Sequence, residues 1–104
     1  MNSDETWKNK IYTLLGFAAK SGVLLSGTFS IKRAMKEDCL ELLLFSEECS
    51  EKTIASFLYR SDIDHLILGP SERMSKTAGV KNRHVFAIKK GKLAENMIKE
   101  ISRR

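Results

Sequence analysis

The side chains best placed to do chemistry in this sequence are cations. Lys32, Arg33 and Lys36 follow directly on Gly27-Thr28. A helix starting there would add unpaired backbone N–H groups and the positive end of its dipole, a combination that suits a phosphate. A second group, Arg73, Lys76, Lys81 and Arg83, is spread over a later stretch. The two groups form one anion-binding surface if the fold brings them together, and two unrelated solvated faces if it does not. In a parallel sandwich, loops at the same end of the sheet can converge into one site, and charge alone does not separate the two outcomes. Lys89-Lys90 and Lys92 read as an exposed turn, and Arg103-Arg104 as a frayed end.

Groups of catalytic type do not converge in the same way. His65 and His84 each fall in a strand-like segment with no cysteine or acidic motif nearby, so each reads as a strand residue with a satisfied hydrogen bond. Glu47-Glu48 would point to opposite faces if extended, and reads better as a solvated turn before a helix N-terminus. The glycines from Gly16 to Gly27 fit neither GxGxxG nor GxxxxGK[ST], and Gly91-Lys92 lacks the first half of the phosphate-loop motif. Cys39 and Cys49 are too far apart for a CxxC pair and read as buried thiols. The expectation is a chain that is not an enzyme and needs no metal or cofactor.

Length and composition agree with a binding domain. With 104 residues, 42% hydrophobic and 30% charged, the chain fits one globular domain over residues 1–104. Its net charge of +5 is unevenly placed. Residues 1–52 carry 7 basic and 8 acidic side chains, whereas 53–104 carry 11 and 5. A basic half on a small domain is an electrostatic reason to expect an anionic partner, nucleic acid first. Apolar runs such as 42–45 and 66–68 are far shorter than the roughly 20 residues of a membrane helix. The opening Met1-Asn2-Ser3-Asp4-Glu5 is polar and acidic, unlike a signal peptide, so a cytoplasmic location without membrane contact is expected.

Hydrophobic spacing supplies the elements that would position the cations. Residues 5–19 place Trp7, Ile11, Leu14, Leu15 and Ala18 on one helical face, with Ser3 or Asp4 as N-cap and Gly22 at the stop. Residues 23–25 suggest a short strand. A second helix over 28–37 turns Ile31, Ala34 and Met35 to one side and Lys32, Arg33 and Lys36 to others. The apolar run 40–46 is a buried strand with Glu41 toward solvent, and Ser50 caps a third helix with Ile54, Phe57 and Leu58 inward. A third strand over 65–68 is followed by Gly69-Pro70 and a short helix capped by Ser71 that ends at Gly79. A fourth strand spans 83–89, and Gly91 leads into a helix with Leu93, Ala94, Met97, Ile98 and Ile101 on one face. This order predicts an α/β fold, a three-layer α-β-α sandwich with helices on both faces of a four-stranded mixed sheet.

Several motifs add a resemblance. Leu15-Gly16-Phe17-Ala18-Ala19-Lys20-Ser21-Gly22, followed by Leu24-Leu25-Ser26-Gly27, resembles the opening of the ribosomal L-seven-Ae and L-thirty-e superfamily, and within it the small bacterial YlxQ-like branch. Residues 42–53, ending Glu47-Glu48-Cys49-Ser50-Glu51-Lys52-Thr53, are similar to that branch's strand and acidic turn, and Ala78-Gly79 before a strand matches its last third. The resemblance covers nearly the whole chain and implies the same sandwich.

Its functional implication is binding of structured RNA, ribosomal RNA or another kinked or internal-loop RNA, with association with the ribosome. By position the family's site maps to Gly27, Thr28, Phe29, Ser30 and Arg33, to Ser50, and to Val80, Lys81, Asn82 and Arg83. Lys32, Lys36, Lys76, Lys81 and Arg83 would neutralise phosphates, and Val80 would touch an extruded base. Kink-turn binders of the family carry Asn-Glu where this chain has Phe29-Ser30, and a family glycine is Ser75 here. Phe29 then either stacks on an unpaired base or packs as a core residue beneath the second helix. The competing expectation is a protein-interaction module of the same fold.

Overall fold

A computed structural model describes the backbone of residues 3–59 and 61–103, with side chains from Thr6 onward. Nine elements follow in order: α1 (Ser3–Lys20), β1 (Leu24–Ser26), α2 (Thr28–Lys36), β2 (Leu40–Ser46), α3 (Glu51–Leu58), β3 (Asp64–Gly69), α4 (Ser71–Ala78), β4 (Val85–Lys89) and α5 (Lys92–Ser102). The strands form one mixed sheet in the order β1-β4-β2-β3. β2 and β3 run parallel, and β4 runs antiparallel to both β1 and β2. The expected three-layer sandwich is the one observed.

Alternation along β2 divides the core. Leu42 and Leu44 join Phe86 and Ile88 in a cluster with Ile11, Leu15, Met74 and Met97, so α1, α4 and α5 cover that face. Leu43 and Phe45 join Val85 and Ala87 on the other face, beneath α2 and α3. A register shift between Leu40 and Leu42 puts Leu40 on the same face as Leu43 despite their odd spacing. On that second face the Phe45 and Phe57 rings meet edge to face, 6.0 Å between centroids. Phe57 is the buried residue of α3, and its burial contributes about 1.5–3 kcal/mol.

The boundaries differ from expectation for identifiable reasons. Ser3 and Asp4 are already helical, so neither is the N-cap of α1. Ser71 does not cap α4: Pro70 holds the N-cap position, and the Glu48 carboxylate of a distant turn accepts from the Ser71 N–H at 2.7 Å. Gly79 does end α4, in the left-handed conformation. Strand β4 starts at Val85 rather than 83, because the Arg83 backbone bonds the Ser75 side chain instead of a neighbouring strand. Cys39 and Cys49 are half-buried rather than buried. Arg103 pairs with Glu100 at 3.3 Å, whereas Arg104 lies outside the described residues. Among the described residues no helix is long and apolar enough to cross a membrane.

Sheet direction decides what can form a site. The C-terminal ends of β1, β2 and β3 lie beside the N-terminal end of β4, as the pairs Ser26 with Phe86, Phe45 with Val85 and Ser46 with Gly69 show. Four connections therefore share one end of the sheet: Gly27, the 47–50 turn, Pro70 and the 79–84 loop. Close packing at this end leaves no room for a Cβ at Gly69, where it would collide with the Tyr12 hydroxyl.

Candidate nucleic-acid interface

The shared end of the sheet holds an open cleft of about 430 Å³, lined by Gly27, Thr28, Ser50, Asn82, Arg83 and neighbouring residues. Each wall has a local cause. Gly27 enters α2 with φ 91°, a region that β-carbons disfavour, and the Arg83 guanidinium occupies the side on which a Cβ would project. A Cβ there would lie 3.1 Å from Arg83 Nη1. The first N–H groups of α2 thus open onto the same space as a cation from the far end of the chain.

The opposite wall is a capped helix start. Ser50 Oγ accepts from the Thr53 N–H at 3.1 Å and donates to Thr53 Oγ1 at 2.9 Å. The expected cap is present, and it commits the Ser50 hydrogen, leaving only acceptor capacity toward a ligand. The third wall depends on Ser75. Its buried hydroxyl accepts from the Arg83 N–H at 3.0 Å and donates to the Arg83 carbonyl at 3.2 Å. Asn82, at φ 49°, makes the turn that presents Arg83.

Other site residues fall elsewhere. Phe29 is 81% exposed, so it is no core residue beneath α2. With Thr28, Lys32, Arg33 and Lys36 it lines a shallow groove of about 450 Å³ along the helix. Lys32 Nζ donates to Ser56 Oγ at 3.2 Å and lies 5.0 Å from the Phe57 ring centroid, which ties that cation to α3. Arg33 forms an exposed pair with Glu37 at 3.6 Å. Ser30 faces a different depression, shared with Arg33, Leu25 and Lys89. Lys76 and Lys81 are exposed without lining the cleft or the groove, and Val80 is half-buried against the first core cluster.

The second basic group therefore converges only in part. Arg83 reaches the cleft, but Arg73 stacks on the Tyr12 ring at 3.7 Å and donates to Asn9 Oδ1 at 3.1 Å, in the packing of α1 on α4. Sequence reasoning placed Glu48, Cys49, Thr53 and His84 outside the site, and all four line the cleft. Only the turn position of Glu48 could have hinted at this. His84 Nδ1 is 2.9 Å from Ser46 Oγ, and His65 Nδ1 donates to the Ile63 carbonyl at 3.2 Å. Burial pushes the Cys49 thiol above its usual range. No group of three or more potential metal ligands occurs among the described residues.

Comparison with known proteins locates this arrangement among solved structures. No family model and no curated protein matches the sequence. A protein of unknown function from Bacillus halodurans matches with a TM-score of 0.79 and 21% identity, over 89% of this chain and 97% of that one. The 15.5 kD RNA-binding protein of Giardia lamblia matches with a TM-score of 0.73 and 13% identity, over 97% of this chain and 87% of that one. At these identities the likeness is one of fold: this chain shares its three-layer sandwich with both.

Proposed function

We propose that the protein is an RNA-binding protein without enzymatic activity, a YlxQ-like relative of the L-seven-Ae and L-thirty-e proteins that acts on structured RNA. The observation that carries this reading is the Arg83 guanidinium seated against Gly27, where the start of α2 and the loop before β4 form one cleft. An RNA-binding protein from Giardia lamblia with the same fold supports it. Kinked or internal-loop RNA, ribosomal RNA included, is the target class, with a cytoplasmic, ribosome-associated role in translation.

The chemistry of the cleft favours binding over reaction. Ser46 and His84 have the pairing of a nucleophile and its base, but Ser46 is 1% exposed at the end of β2 and no substrate reaches its oxygen. The α2 N–H groups and Arg83 donate to phosphate oxygens, Asn82 donates and accepts, and Ser50 accepts only. Affinity for an internal-loop RNA measured across a potassium chloride series tests the reading. The logarithm of the affinity should fall by about 0.7–0.9 per neutralised phosphate for each tenfold rise in salt. Arg83→Gln should weaken binding and flatten that slope by about one phosphate contact. Salt-independent binding, or an Arg83→Gln protein identical to the parent, would refute it.

A further inference from the structure

The groove along α2 is not explained by the cleft. Ile31 and Ala34 turn inward, so the core does not recruit Phe29. Helical spacing sets Lys32, Arg33 and Lys36 at i+3, i+4 and i+7 from its exposed ring. The first turn of α2 contains no acid. Among the described residues, Lys36 has no ion-pair partner, and the single pair of Arg33 is exposed and 3.6 Å long. Lys32 is tied to α3, which leaves a bare aromatic face flanked by Lys36 and the exposed Arg33, a match for a flat, apolar group carried on an anionic chain. A nucleotide has that chemistry: the base offers the face, and the phosphates on either side offer the charge. An acidic peptide would satisfy the cations and leave the ring uncovered.

We propose that one unpaired nucleotide of the bound RNA stacks on Phe29, with its flanking phosphates on Arg33 and Lys36. The inference rests on the RNA-binding reading above and narrows it. The target contains an extruded or single-stranded nucleotide next to the element held in the cleft. Phenylalanine offers no hydrogen bond to a base edge, so the identity of that nucleotide has little effect on affinity.

The test uses the full chain and two hairpin RNAs, one with an internal loop carrying a single 2-aminopurine and one with the same stem fully paired. The parent protein should prefer the looped RNA and quench the 2-aminopurine fluorescence. Phe29→Leu should lose about 5- to 150-fold on the looped RNA and leave the paired affinity unchanged. Phe29→Tyr should retain both affinity and quenching, and thermal unfolding of all three proteins should coincide because the side chain is exposed. Equal loss on both RNAs, or none on the looped one, overturns stacking. If Arg83→Gln still weakens binding in that case, RNA binding through the cleft stands without it. A parent protein that binds neither RNA, or prefers poly-glutamate to both, overturns the two readings together.

Discussion

Replacing Ser75 by alanine should loosen the loop that presents Arg83 while leaving the core in place. The Ser75 hydroxyl acts as a one-atom strand partner, bonded to both the N–H and the carbonyl of Arg83 at 3.0 and 3.2 Å. Alanine removes both bonds, each worth about 0.5–1.5 kcal/mol net. The Arg83 backbone lies at an exposed position, so water recovers part of that loss. Within α4, alanine also recovers about 0.5 kcal/mol of helix propensity over serine. The expected destabilisation is about 1–2 kcal/mol, or about 5–10 °C in Tm for a chain of this size.

The same change should reach RNA binding without touching any binding group. Arg83 keeps its guanidinium, but binding must now order the Arg83 backbone that the two bonds held, at a cost of about 1–2 kcal/mol for that one residue. Affinity for an internal-loop RNA should fall about 5- to 30-fold with an unchanged salt slope, since no phosphate contact is removed. Hydrogen exchange of the Arg83 amide reads the cause directly and should accelerate before global unfolding does. Unchanged protection of that amide would refute the reasoning even if Tm fell, because the stability loss would then have another origin.

Three further outcomes follow from the local geometry. Gly27→Ala must hold alanine at φ 91° and push its Cβ toward Arg83 Nη1, so urea unfolding should show a loss of about 1–2 kcal/mol, accompanied by weaker RNA binding. Glu48→Ala removes the acceptor of the Ser71 N–H and should cost about 0.5–2 kcal/mol by the same assay; retention of full stability would show that Pro70 alone suffices to start α4. Desolvation raises the Tyr12 phenol, Arg73 opposes the rise, and Glu47 and Glu48 add to it. The unfolded chain therefore deprotonates first, so Tyr12's contribution is fully present below the ordinary tyrosine range and fades as pH rises through the folded value. Tyr12→Phe should flatten the alkaline limb of the stability curve. At neutral pH it should be neutral or stabilising by up to about 1 kcal/mol, because the phenol oxygen has no partner among the described residues. A loss above about 1 kcal/mol would show that the hydroxyl is satisfied.

The fold was legible because its elements are short and their apolar periods are clean. The run 40–46 matched β2 residue for residue, and the Ser50 cap stood where the sequence placed it. Boundaries moved where a side chain from elsewhere took over a backbone bond, as Ser75 does for Arg83 and Glu48 for Ser71. Such bonds cross 8 and 23 residues and leave no local signal. The site was legible in half. Glycine followed by a helix start pointed to Gly27 and Thr28, but charge alone could not separate Arg83, which reaches the cleft, from Arg73, which is spent on Tyr12. Phe29 could be read as core or as surface because its helix buries only Ile31 and Ala34 fully, and a first-turn position can face either way.

The convergence itself has its cause in β4, the strand that makes the expected mixed sheet antiparallel at its centre. In an all-parallel sheet α4 would run back along β3, and the connection to β4 would lie at the far end. Here α4 has eight residues, a rise of about 12 Å, and Gly79 stops it in a left-handed turn. The chain re-enters the sheet from the end at which it left, which forces β4 antiparallel between β1 and β2. The reversal makes the 79–84 loop a neighbour of Gly27 and puts Arg83 beside the start of α2. Helix length alone does not set this course, because α3 is equally short and yet leads into the parallel β3; what the site requires is the left-handed stop at Gly79 and the 79–84 loop that turns back from it.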